Sequence, residues 1–329
     1  MNPRNPMLRS LLLPLLLCAG CSASPDSTDE DVGRADQAMI AGNGRSLNGL
    51  YLNGLYLNGL YLNGLYLNGL YLNGLYLNGA ELTGIISEDG APVSGANFVG
   101  TTMTALLSDG SSRELLITDV QPTSDPEIYA YSINYHQGSA LVGLCGADNR
   151  AIPLTGYWDA SSGAHIDDPS RMTFACMGST LRKCVDFGYK PWASATECDA
   201  GGDCHEVSLR SFHQACTRMI RADYCGDGAP HTMNGTPINI WDDLGIQEAA
   251  DAAMVNEAEW GVDGAGCVSA LRHQFDGATA DYIDAHCPER WGTASTCFNA
   301  SSTFFTEHGY SSPLTQRRLL RNQSNATLP

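Results

Sequence analysis

Ten cysteines between positions 145 and 297 constrain this chain more than any other feature. They are Cys145, Cys176, Cys184, Cys198, Cys204, Cys216, Cys225, Cys267, Cys287 and Cys297. Two further cysteines, Cys18 and Cys21, stand near the start. An even set is what a fully paired, oxidised domain requires, so all ten are expected in disulfides. Spacing narrows the network in two places. Cys198 and Cys204 bracket the glycine-bearing run DAGGD, which can close on itself. Cys216 and Cys225 are not expected to pair with each other. Their separation of nine positions would rise about 13 Å in a straight helix, and a disulfide needs Cα atoms within about 7 Å. The other connectivities stay open.

The start of the chain points to export. Arg4 and Arg9 precede an apolar core, Leu11 to Leu17, that is too short to span a bilayer. Cys18-Ala19-Gly20-Cys21 then resembles the lipobox of bacterial lipoproteins, with Cys18 where an aliphatic residue is usual. Residues 1–20 are therefore expected to be a lipoprotein signal peptide, with Cys21 as the lipidation site and anchor to the membrane. Ser22 is the residue type that permits transfer to an outer membrane in that class. The alternative is ordinary secretion with cleavage nearby. Acidic side chains outnumber basic ones, 36 to 18. Such a surface disfavours nucleic acid as a partner.

Residues 21–46 are small and polar and read as a disordered tether. Over 47–84 the unit LNGLY repeats with a period of five. Regular glycine opposes a helix. An odd period sends successive leucines to opposite faces of a flat strand. A corner at each Asn-Gly repairs this, so the segment is expected to form a short β-solenoid resembling the pentapeptide-repeat proteins. The other reading is a sticky linker that stacks between molecules, so the repeats are a candidate for self-association.

From Ile85 to His165 the pattern is that of strands. Thr101 to Leu107 and Glu114 to Val120 flank a turn signal at SDGS. Tyr129, Tyr131, Ile133 and Tyr135 alternate, as on a sheet face. A small antiparallel sheet is expected there. Beyond it, Met172 to Cys176 reads as a strand and Thr180 to Phe187 as a helix. Leu209, Phe212, Cys216, Met219 and Ile220 mark one buried helical face. Ser208 is its N-cap, and Arg210, Gln214, Thr217, Arg218 and Arg221 lie on its other side. Gly226 and Gly228 are expected to stop it. Ile246 to Met254 reads as a short helix, the stretch to Cys297 as loop-rich, and residues 301–329 as a loose tail carrying Arg317, Arg318 and Arg321. The fold class is α+β, with a disulfide-braced mixed part after the sheet.

The run RADYCGDG at 221–228, followed by His231-Thr232 and Gly235-Thr236-Pro237-Ile238, resembles the ADYC domain. Thr173-Phe174-Ala175-Cys176, Lys183-Cys184, Gly188 to Trp192, His213 to Cys216, Glu257 to Trp260, Cys267 and Cys287 to Arg290 agree with it. The resemblance covers about residues 90–300, within a domain of 85–300, and lies outside the repeats. The family consists of exported proteins, mostly of myxobacteria. It implies a fold and a compartment, not a reaction.

Asp223, Asp227 and His231 could surround one turn, and a carboxylate beside an imidazole can act as a general base. The competing reading is that they order the turn. His213 is a further candidate, at i and i+3 to Cys216, a spacing open to zinc. No close cysteine pair accompanies it, so no metal and no cofactor are expected. Two functions follow. One is a lipid-anchored cell-envelope protein that binds or supports something, with an unknown ligand. The alternative is an extracellular hydrolase-like enzyme using Asp223, Asp227 and His231.

Overall fold

Alternating large side chains in the first half close a barrel. The structure is a computed structural model that describes residues 41–42, 57–61, 66–67, 70–86, 91–107, 112–146, 148–159, 161–169, 171–198, 201–233, 235–248, 254–272, 278–298 and 318–325. All of these lie within the unit Val32–Pro329. The expected signal peptide, with Cys18 and Cys21, and most of the tether lie outside the described residues.

The strand Tyr129–Gln137 buries Tyr131, Ile133 and Tyr135 in one core, with Tyr129 packed at its margin. Along one edge it pairs with Ser112–Pro122, which pairs in turn with Thr102–Leu107. On its other edge Tyr131 meets Ala151, and Ala151–Thr155 pairs with Arg171–Cys176. Arg171–Cys176 pairs with Leu57–Tyr61, which returns to Thr102–Leu107. The six antiparallel strands form a ring, closed between Tyr129–Gln137 and Ala151–Thr155 by the pair Tyr131 and Ala151. Met103, Ala105, Leu115, Ile117, Met172 and Phe174 belong to the core cluster of Tyr131. Cys145–Cys176 ties the loop after Ala140–Gly143 to this wall.

The sheet is thus larger than the one expected between Ile85 and His165. It needs Arg171–Cys176 and one LNGLY unit to close. The solenoid geometry is not adopted by the described repeats at 70–78. There the chain runs as one strand, Leu70–Asn78, through Asn73-Gly74, antiparallel to Glu81–Ile86. A register shift between Asn73 and Tyr76 takes up the odd period where a corner was expected. Of the earlier repeats, Leu57–Tyr61 and Tyr66–Leu67 are described, each as a strand, and the rest lie outside the described residues.

The second half is built on helix α2, Leu209–Arg221, preceded by α1, Thr180–Asp186. Ser208 caps α2 by accepting from the Arg210 amide, and Ser179 caps α1 in the same way from Arg182. Cys184–Cys216 joins the two helices. Leu181 and Val185 of α1 pack with Ile152, Leu154, Trp158 and Ala175 in a second cluster. The apolar face of α2 packs with Ile238, Ile240, Ala258, Trp260 and Val268 of a five-stranded sheet. Its strand order is Ala41–Gly42, Pro237–Asp242, Leu320–Ser324, Val255–Gly261, Gly264–Val268.

Several expectations need correction here. The tail is not loose at 318–325. Leu320–Ser324 is the central strand of this sheet, with Leu320, Asn322 and Ser324 buried. Residues 246–248 are not helical. Asp242 accepts from the amides of Leu244, Ile246 and Gln247 and folds the segment into a loop. Cys198 and Cys204 do pair, and they close a two-stranded ribbon, Ser194–Cys198 with Cys204–Ser208. The stretch before Cys297 contains α3, Ala278–His286, and a short α4, Ala294–Cys297. Cys225–Cys287 and Cys267–Cys297 complete five disulfides, so all ten cysteines are paired. That density fits an oxidising, extracytoplasmic compartment. Among the described residues, no helix is long and apolar enough to cross a membrane.

Candidate functional site

The polar side of α2, opposite its apolar face, is not left to solvent. Instead Gln214, Thr217, Arg218 and Arg221 are all buried. A buried charge must be paired and hydrogen-bonded, and the residues after the helix supply the partners. The helix ends at Arg221. Its cap is Ala222, in the left-handed conformation at φ 52°, and not Gly226 or Gly228. This turn reverses the chain and sends Asp223 back alongside the arginines. Asp223 Oδ2 accepts from Arg218 Nη1 at 2.5 Å and from the Gly228 amide at 3.0 Å. Arg218 also donates to the carbonyls of Ser162 and Val262, and Arg221 to that of Gly228 at 2.6 Å.

Tyr224 points the other way. Its hydroxyl donates to Glu257 Oε1 at 3.0 Å and accepts from the Arg272 amide at 3.0 Å. Burial, reinforced by Glu257, holds the phenol well above its ordinary pKa. Arg272 and Glu257 are themselves fully buried and paired through two hydrogen bonds, at 2.8 and 3.0 Å. Arg272 also donates to the carbonyls of Met219 and Ile220 in the last turn of α2. A cation there satisfies carbonyls that have no helical partner and complements the helix dipole. Cys225 then bonds to Cys287 at the end of α3. Gly226 presses against the Asp263 turn so closely that a Cβ would lie 1.9 Å from the Asp263 carbonyl oxygen. Close approach, rather than helix termination, requires this glycine.

Cys225–Cys287 brings α3 beside the motif, and a polar cluster forms at the surface. Asp227 Oδ2 accepts from the Tyr282 hydroxyl at 2.7 Å, and Oδ1 accepts from the Ala229 amide. Partial burial pushes the Asp227 carboxyl up, but these hydrogen bonds outweigh it and leave it below the usual range. The Tyr282 phenol is pushed up to about 12, first by that hydrogen bond to Asp227. The His231 ring lies 4.6 Å from the Tyr282 ring, and His286 stacks on the same ring at 4.0 Å.

The candidates therefore separate. Asp223 is fully buried and held by arginine, whereas Asp227 is exposed. The two carboxylates differ in exposure, and Asp223 is engaged by Arg218 and the Gly228 amide. His213 is buried with Nε2 facing the Leu181 carbonyl at 3.0 Å, so the proton sits on Nε2. Burial pushes its pKa down to about 3 and keeps the ring neutral. Its helical neighbour Cys216 is in a disulfide, which removes the zinc spacing. Among the described residues, no group of three or more His, Cys, Asp or Glu is arranged to hold a metal ion.

Sequence reasoning missed Arg272, Tyr282 and His286. The only local signal for Arg272 was its apolar neighbourhood after Ala270-Leu271. Tyr282 and His286 stand at i and i+4, but on a stretch read as loop.

The ADYC domain profile matches residues 95–274, while no curated protein and no solved structure matches the chain. The matched span contains α2, the motif, Glu257 and Arg272. It stops before Cys287 and Cys297, whose disulfide partners lie inside it. More than half of the chain is covered, and the protein belongs to the ADYC domain family.

Proposed function

We propose that this is a lipid-anchored, disulfide-braced protein of the cell envelope, held at the outer membrane through Cys21, whose ADYC domain is a binding or structural module. The observation that carries this reading is where the motif's own groups go. Asp223, Tyr224 and Cys225 each hold another element in place through an ion pair, a buried hydrogen bond or a disulfide. None is left free to meet a substrate. Five disulfides suit an exported protein. The leader grammar around Cys21 supports the anchor, and the LNGLY repeats suit a spacer or self-association segment. The net charge of −18 argues against nucleic acid.

The test is metabolic labelling with a radioactive fatty acid, followed by membrane fractionation, for the wild type and Cys21→Ala. Label and outer-membrane recovery are expected only in the wild type. An unlabelled, soluble wild type would overturn the anchor.

A second reading, a hydrolase-like enzyme, is favoured only by the surface grouping of Asp227, His231 and Tyr282. It drops Asp223 from the set.

A further inference from the structure

The five disulfides are not equivalent. In Cys184–Cys216 and Cys267–Cys297 both cysteines are buried, and in Cys145–Cys176 and Cys225–Cys287 one of the two is. Only Cys198–Cys204 has both cysteines exposed. It closes the outer end of the ribbon, where the two residues face each other across the ladder. Beside it stands Gly202, at which an added Cβ would meet nothing within 4 Å. Thiol–disulfide exchange requires a thiolate to reach one sulfur while the other departs, so access to the bridge decides which one reacts.

The fold has little need of this bridge. Its cysteines are 6 positions apart, against 30 or more in each of the other four, and a short loop constrains the unfolded chain least. The base of the ribbon is held by other means. Val207 is buried in the core around α2, Ala193 and Ala195 pack against that core, and the Leu209 amide donates to the Ala193 carbonyl. The bridge also has acidic surroundings. Asp203 and Glu206 stand exposed on either side of Cys204-His205, and no lysine or arginine occurs between Ser194 and Ser208. Glu206 shares a strand face with Cys204, two positions away. Carboxylates so placed repel an anionic attacker and draw a cationic one.

We propose that Cys198–Cys204 is a thiol–disulfide exchange site for a cationic thiol, opened and closed without unfolding the domain. The thiolate of the incoming compound attacks one Sγ of the bridge. A new S–S bond forms to that sulfur and the Cys198–Cys204 bond breaks. Its electron pair leaves on the other Sγ, which takes a proton from water. The product is a mixed disulfide on one cysteine and a free thiol on the other. Attack of that thiol, as thiolate, on the mixed disulfide expels the compound and restores the bridge, with no outside oxidant. The tip of the ribbon is thereby a reversible attachment point.

The test treats the oxidised full chain with limiting cysteamine, a cationic thiol, or mercaptoethanesulfonate, an anionic one, at low and high salt. The reaction is stopped by alkylation and mapped by peptide mass spectrometry, with circular dichroism followed in parallel. Adduct and alkyl label are expected at Cys198 and Cys204 at least about ten-fold faster than at any other cysteine, with the spectrum unchanged. Added salt should slow cysteamine there and speed mercaptoethanesulfonate, and Asp203→Asn/Glu206→Gln should shrink both responses. First labelling at another bridge, or loss of structure as the adduct forms, overturns the proposal. So does a salt response that is the same for both thiols or indifferent to those two substitutions. Cys198→Ser/Cys204→Ser is expected to keep the wild-type spectrum and lose the fast reaction. A failure of that variant to fold would make the bridge a structural brace and would also overturn the proposal.

Discussion

The barrel and the region around α2 are both buried, but by different chemistry. The barrel interior is a single apolar cluster, from Leu82 and Phe98 to Ile133 and Phe174, and one disulfide touches it. The region around α2 buries Arg218, Arg221, Asp223, Glu257, Glu259 and Arg272 and contains or borders the other four disulfides. An apolar core tolerates small losses of volume at modest cost. A buried ion pair specifies its geometry strongly and fails badly when one partner is removed. Three adjacent residues in the second region, Asp223 to Cys225, each fix a different neighbour.

The largest effect is expected at the buried pair. Arg272→Ala leaves Glu257 and two helix carbonyls without their partner, and should cost about 3–5 kcal/mol in chemical denaturation. The double variant Arg272→Met/Glu257→Leu should recover much of that loss. A single variant costing under about 1 kcal/mol would show that the two regions do not differ in the way described.

His213 gives an intermediate effect with a definite sign. In the unfolded chain its ring takes a proton near pH 6.5, but in the fold it stays neutral down to about pH 3. The stability it contributes is complete above about pH 6.5 and is lost as pH falls from there, by about 1.4 kcal/mol per unit. Glu259 and Asp242, pushed up by burial, titrate in wild type and His213→Gln alike. The stability difference between those two proteins should therefore shift toward the variant between pH 7 and pH 4.5. A constant difference would mean the buried ring is protonated in the fold.

The smallest effect is expected in the barrel. Ile133→Val removes one methylene from a packed wall and should cost about 1 kcal/mol, without pH dependence. A loss comparable to that of Arg272→Ala would erase the contrast.

Much of the barrel was legible, because its signal is local. Tyr129 to Tyr135 alternate at the period of a strand, and their burial needs no distant partner to explain it. The same holds for the Ser208 cap and for Cys198–Cys204, whose six-residue separation is closed by the ribbon itself. Around α2 the local signal misleads. Arg218 and Arg221 look solvated on a helical wheel, since nothing nearby in sequence reveals that Ser162 and Val262 will meet Arg218. The polar stretch at 318–325 reads as tail for the same reason. Its hydrogen bonds are to strands 59 or more residues away.

By itself the sequence determined that the cysteines would be oxidised together, that the first half would be sheet, and that the ADYC run would mark a family. Those properties depend on counts, periods and adjacent residues, which the chain carries along its length. Only the tertiary structure decided that Asp223 is buried against Arg218, that Arg272 and Glu257 are partners, and that Leu320–Ser324 sits at the centre of a sheet. Each of these depends on which distant groups are brought together away from water, where an unpaired charge is too costly to persist.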